Sequence, residues 1–165
     1  GIQRSGSTPY GASTTTSTAG THSIGQQTWK KPLMDIIAAH RIPYAATAST
    51  SYPFDLMEKV QKAASIEGPT FLQVYSCCPT GWRMAPELAI EVGRLAVQTG
   101  AFPLYEVEYG KKLSVSVKPD KLRALKDYMK IQGRFRHLTE EQIAFVEQRL
   151  QEEWDYLLAR EKAGV

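Results

Sequence analysis

The chain has 165 residues, 42% hydrophobic and 22% charged, with a formal net charge of +3. That length fits one domain or part of one, and the composition supplies enough apolar area for a buried core. So mild a charge marks no nucleic-acid or membrane-surface partner, two cysteines are too few for a disulfide framework, and no apolar run approaches the roughly 20 residues that span a bilayer.

No basic-then-apolar leader opens the sequence, and the cysteine usage suits a reducing cytoplasm. The first residue is Gly1, in turn-like sequence, which suggests an excerpt of a longer polypeptide. Residues 1–27, GIQRSGSTPYGASTTTSTAGTHSIGQQ, are rich in Gly, Ser and Thr. Two readings stand open, a disordered low-complexity leader and a loop that covers a ligand.

From Trp29 the pattern changes. WKKPLMDIIAAHR puts Leu33, Ile36, Ile37 and His40 on one face, predicting a helix with Pro32 in its first turn. IPYAATAS predicts a short strand. YPFDLMEKVQKAASIEG predicts an amphipathic helix with Leu56, Val60 and Ala63 or Ala64 inward and Gly68 ending it. PTFLQVYS is a nearly continuous apolar run, the pattern of a strand covered on both faces. APELAIEVGRLAVQTG predicts a third helix, opened by Pro86 and stopped by Gly100.

FPLYEVEYG and KKLSVSV predict two strands joined at Gly110 and Lys111 as an edge hairpin. Residues 119–132 and 139–160 predict two more helices, the last opened by a Thr139–Gln142 capping box. Its stripe is Ile143, Val146, Leu150, Trp154 and Leu157 or Leu158, continuous enough to pack. Alternating helices and short buried strands predict an α/β domain with a largely parallel sheet flanked by helices.

Both cysteines, Cys77 and Cys78, follow the FLQVYS strand, at the carboxyl end where open α/β sheets bind ligands. Neighbours in sequence are badly placed to bridge each other. Free cysteines are also often simply packed, so an inert thiol and a ligand or redox role both stand open. Two cysteines and three scattered histidines argue against a self-contained metal site. Of the histidines, His22 lies in the Ser/Thr loop, His40 on a helix face and His137 just before a helix. Between Lys111 and Arg136 nine basic residues face two acidic ones, Asp120 and Asp127. That is either a solvated face or an electrostatic docking surface; few aromatics accompany it, which argues against nucleic acid.

Three stretches converge on a family. GIQRSGSTPYGA, YSCCPTGWR and KIQGRFRHLTEEQI together resemble the β subunit of 2-oxoacid:ferredoxin oxidoreductases, most nearly the pyruvate type, over the C-terminal half of such a subunit. The resemblance implies a thiamine-diphosphate-binding fold that holds thiamine diphosphate and Mg²⁺. It implies oxidative decarboxylation of a 2-oxoacid, transfer of the acyl group to coenzyme A, and electrons passed through a 4Fe-4S cluster to ferredoxin. Family members carry the Gly-Ile-Gln-Arg stretch in the loop that holds Mg²⁺ and the diphosphate. By that likeness Gly1, Ile2, Gln3, Ser7 and Thr8 bind cofactor, with Ser7 to Thr16 continuing across it. Cys78, directly before Pro79, is implied as the fourth thiolate of the cluster, and Cys77 stands where the family usually has another residue. No catalytic residue is assigned.

The Gly-Asp-Gly motif, the Asn-Thr pair and three further cysteines of the family pattern are missing from this sequence. The resemblance therefore implies three kinds of partner: the preceding half of the β subunit, an α-type subunit and other subunits. The chain alone would not turn over. Residues 1–110 would form the later part of the cofactor-binding domain. Residues 111–165 would be an extension of a strand and two helices packed on it. Two rival readings are a docking or scaffold subunit using residues 111–136, and a thiol-redox protein, the latter opposed by the absence of a Cys-x-x-Cys spacing.

Overall fold

In a computed structural model, which describes residues 2–164, the chain as far as Pro32 is irregular except for a two-stranded ribbon, β1 (Ala19–Gly20) with β2 (Ser23–Ile24). Then follow α1 (Leu33–Ala39), β3 (Tyr44–Ser49), α2 (Pro53–Ser65) and β4 (Thr70–Tyr75). A single helical turn, α3 (Pro79–Trp82), leads through a 3-10 turn at Pro86–Leu88 into α4 (Ala89–Gln98). The hairpin β5 (Tyr105–Glu108) and β6 (Lys112–Val115) precedes α5 (Leu125–Lys130) and the long α6 (Glu140–Ala163).

The main sheet runs β4-β3-β5-β6. β3 pairs parallel with β4 and antiparallel with β5, so the α/β expectation is met by a mixed sheet. The hairpin lies at the edge where its sequence put it, with Tyr109 and Gly110 both at positive φ (51° and 67°), as a tight hairpin turn demands. Every residue of β3 is buried, and its small side chains let neighbours approach closely. α4 uses that room: a Cβ on Gly93 would sit 1.9 Å from Ser51 Oγ, just past the end of β3.

Three elements depart from their predicted faces. α1 buries Met34 and Ala38 and leaves Ile36 and His40 exposed, with Pro32 just ahead of its first residue. α2 buries Lys59 in place of Val60, which is exposed. The Lys59 ammonium donates to Thr47 O, Asp55 Oδ2 and Ser116 Oγ at 2.8, 2.8 and 2.7 Å, so all three of its protons are used and burial is tolerated. β4 is an edge strand, half-buried along most of its length with Val74 exposed, not a strand covered on both faces.

The segment predicted helical over 119–132 is helical only at Leu125–Lys130. Ahead of it the chain is held open by tertiary bonds, Arg123 N–H to Gln98 O at 2.8 Å and Leu125 N–H to the Glu147 carboxylate at 2.7 Å. The capping box of α6 forms in full between Thr139 and Gln142. Ile143 and Val146 pack with α4 and α5, whereas Trp154 and Leu157 pack with α1 and the sheet. One helix thus closes both cores.

Candidate functional site

The Ser/Thr loop is fixed by its own backbone. Gly11 N–H donates to Gln26 O (2.7 Å), Gln26 N–H to Ala12 O (3.0 Å), Ser13 N–H to Arg134 O (2.8 Å) and Lys31 N–H to Gly6 O (2.8 Å). Thr15 grips the start of the loop twice, its N–H and its hydroxyl both donating to Ile2 O at 2.9 and 2.8 Å. Of the two readings of this segment, the disordered leader is set aside. Gly25 takes φ +90° beside Ala12, where no other residue fits easily.

Ile2, Gln3 and Ser7 are exposed on this loop, and Gly1 lies outside the described residues. Thr8 is fully buried, and its Oγ1 accepts from Ser5 N–H at 2.9 Å and so shapes the Ser5–Thr8 turn.

The two adjacent cysteines have different surroundings. Cys77 is half-buried and its Sγ–H donates to Ala89 O at 3.2 Å. Burial pushes its thiol up to about 11, with the Arg134 charge and a hydrogen bond to Tyr75 acting the other way. Such a thiol stays protonated and unreactive at neutral pH. Cys78 is exposed, in extended conformation at the head of α3, with Pro79 opening the helical turn and Arg83 closing it at φ 54°. Thiolates, not thiols, bind metal, and of the two sulfurs Cys78 is the more accessible.

Gly81 brings the two motifs together. A Cβ there would lie 3.1 Å from Cys78 Sγ and 3.1 Å from Ile2 N. The turn and the loop therefore touch across a residue without a side chain, though 76 positions separate Ile2 from Cys78 in sequence. Sequence reading passed over Gly81, whose only trace was a Pro-Thr-Gly turn.

It also passed over Arg134, counted merely as one charge of a basic stretch. Arg134 is 2% exposed, its guanidinium stacked 3.9 Å from the Trp82 ring, with Nε donating to Gln132 Oε1 and Nη2 to the Tyr128 hydroxyl at 2.9 and 3.2 Å. In the rest of that stretch Lys111, Lys121, Lys126, Lys130 and Arg136 are exposed. Lys112, Lys118 and Arg123 pair with Glu108, Glu161 and Asp127. The histidines stay apart from the cysteine turn: His40 is exposed, and His22 and His137 line a shallow polar depression with Tyr10, where His137 Nε2 bonds Ile24 O at 2.9 Å. Among the described residues, no three His, Cys, Asp or Glu side chains are grouped so as to hold a metal ion, and no helix is long and apolar enough to cross a membrane.

No family model matches the chain. It is 53% identical over 152 residues to pyruvate synthase subunit PorB of Methanocaldococcus jannaschii, covering 92% of this chain and 51% of that protein. To ketoisovalerate oxidoreductase subunit VorB of Pyrococcus horikoshii it is 46% identical over 158 residues, 95% of this chain and 51% of the other. Pyruvate synthase subunit PorB of Methanothermobacter marburgensis is 52% identical over 148 residues, with shares of 90% and 51%. The chain spans about half the length of the curated relatives it matches.

Proposed function

Since this chain belongs, over nearly its whole length, with the β subunits of the 2-oxoacid:ferredoxin oxidoreductases, we propose that it serves as about half of such a subunit. The reaction is oxidative decarboxylation of pyruvate or a related 2-oxoacid to an acyl-coenzyme A and CO₂, with electrons leaving to ferredoxin. The single observation that carries this reading is the 46–53% identity to named β subunits over 90–95% of the chain, and the contact at Gly81, where an exposed thiol meets the amino-terminal loop, agrees with it. The docking-subunit alternative is not favoured, since the named relatives are subunits of the oxidoreductases. The thiol-redox alternative requires two reactive sulfurs, and Cys77 is held protonated.

The residues present fit the implied groups in part. Cys78 offers one accessible sulfur on a rigid turn, which suits one corner of a 4Fe-4S cluster. The Ser5–Thr8 turn offers the Ser7 hydroxyl and exposed backbone at Ile2 and Gln3 for the diphosphate end of thiamine diphosphate and its Mg²⁺. When bound, thiamine diphosphate supplies the electron sink that decarboxylation requires, and the cluster the one-electron acceptor. The remaining ligands would come from the other half of the subunit, and an α-type subunit would complete the substrate pocket. This chain's own task is positional. Thr15 fixes Ile2, Gly81 admits both loop and sulfur, and the Ala89 carbonyl occupies Cys77 so that one thiol alone is presented.

The test compares two alanine variants in the complete enzyme. Cys78→Ala is expected to lose one cluster's iron, and Cys77→Ala to retain it; equal iron in both would overturn the ligand assignment. A second readout needs no activity. In cluster-free protein at pH 8, iodoacetamide should label Cys78 readily and Cys77 only after unfolding, because burial holds the Cys77 thiol near 11.

A further inference from the structure

A cavity of about 730 Å³ opens between the sheet, α1 and α6 and reaches the Gly6–Ser7 end of the loop. Its charge is distributed unevenly. At one end Asp35 and Glu153 are matched by Arg160 and Arg149, at 2.9 and 2.5 Å. At the other end stand Lys30 and Arg134, and among the described residues neither has a carboxylate within ion-pair reach.

The surroundings of this pair are built. Trp82, Tyr75 and Phe102 form a continuous aromatic wall, with ring centroids 5.6 and 5.0 Å apart. Arg134 stacks on the Trp82 end of that wall, and the Lys30 ammonium stands 5.7 Å above the Phe102 ring at the other. Lys30 Nζ donates to Ala101 O at 2.7 Å, and Arg134 is oriented by Gln132 and Tyr128, itself bonded hydroxyl to hydroxyl with Tyr75 at 3.0 Å. The Trp82 indole N–H, also buried, has no acceptor among the described residues.

Neutral partners orient the two cations but cancel neither charge. Arg134 is a buried charge with no counter-charge among the described residues, which is costly, and the half-buried Lys30 ammonium is pushed down to about 8 by desolvation and by the charge of Arg134. A negative group between them would relieve both. We propose that this end of the cavity binds an oxyanion, the carboxylate or phosphate head group of a small molecule, between Arg134 and Lys30 above the Trp82–Tyr75–Phe102 wall. Arg134 supplies the fixed charge, Lys30 the adjustable one, and the rings exclude water, which strengthens both contacts. The assignment concerns side chains that the proposed cluster ligation does not use, and stands or falls separately from it.

The test uses the complete enzyme in a chloride-only buffer. Inorganic phosphate and acetate are titrated in separate arms at constant ionic strength, and thermal unfolding is followed. The expected result is a saturable rise in melting temperature beyond that given by chloride. A rise with phosphate alone assigns a phosphoryl group, with acetate alone a carboxylate, and with both a general oxyanion site. Lys30→Gln should weaken the apparent affinity about tenfold, the effect of losing one charge-assisted hydrogen bond, and Arg134→Gln should abolish it. Should Arg134→Gln fail to fold, Lys30→Gln decides alone, since Lys30 is half-buried with a single hydrogen bond. No saturable rise with either anion, or the same rise in wild type and Lys30→Gln, overturns the proposal. Iron content should be unchanged in Lys30→Gln, so this failure is distinct from failure of the cluster assignment.

Discussion

In the loop from Ile2 to Gln27, Thr8, Ala12, Thr14 and Gln26 are almost wholly buried, whereas α2 turns Phe54, Met57 and Val60 to solvent and buries Lys59. The loop has little apolar surface, and α2 has a fair amphipathic pattern. Burial in these two regions follows the pairing of polar groups more than hydrophobicity, with the Gln26 side-chain oxygen, buried without a partner among the described residues, as the exception. The loop goes inside because its backbone bonds cross between Gly11, Ala12 and Gln26 and outward to Arg134. Lys59 goes inside because three acceptors meet its ammonium. A polar group with its partners in place costs little to bury, and one without them costs a great deal.

The comparison can be broken at either region. The largest effect is expected at Lys59. Lys59→Ala strands the Asp55 carboxylate, 13% exposed, together with Thr47 O, and the loss should be about 3–5 kcal/mol by urea unfolding of the chain. A loss under about 1 kcal/mol would show that the buried ammonium holds nothing together. Next comes Gly25→Ala in the loop, where the new Cβ would approach Ala12 O to 2.6 Å at φ +90°. About 2–4 kcal/mol should be lost, with earlier proteolysis within residues 2–27 as the sign that the loop itself has come free. The smallest effect belongs to the outer face of α2. Phe54, 79% exposed, and Met57 have little folded contact to lose. Phe54→Ser with Met57→Ser should change stability by no more than about 0.5 kcal/mol, and a large loss would mean that this face packs within the chain.

Much of the frame was legible in the sequence. The Thr139–Gln142 box and the stripe from Ile143 to Leu157 are local patterns repeated along one helix, and α6 follows them. The hairpin turn was legible at Gly110 for the same reason, because a tight turn selects its residues locally, though its other positive-φ residue is Tyr109 and not the expected Lys111. The rotations of α1 and α2 were not, since helical periodicity marks an apolar stripe but cannot tell which flank meets the sheet when an alternative residue such as Lys59 finds three partners there. The edge position of β4 was hidden too. An apolar run indicates the capacity for cover without indicating what supplies it.

For the site, the sequence by itself determined the chemistry on offer: two adjacent thiols after a β-prone run, a Ser/Thr-rich opening, and three stretches shared with one enzyme family. Only the tertiary structure decided which thiol is presented. Cys77 and Cys78 are the same residue type one position apart, and they are separated by the Ala89 carbonyl, which comes from another element. The Gly81 contact with Ile2 and the stacking of Arg134 on Trp82 were likewise decided by packing. Exposure, pairing and charge balance depend on atoms brought close by the fold, and no local pattern in the chain encodes them.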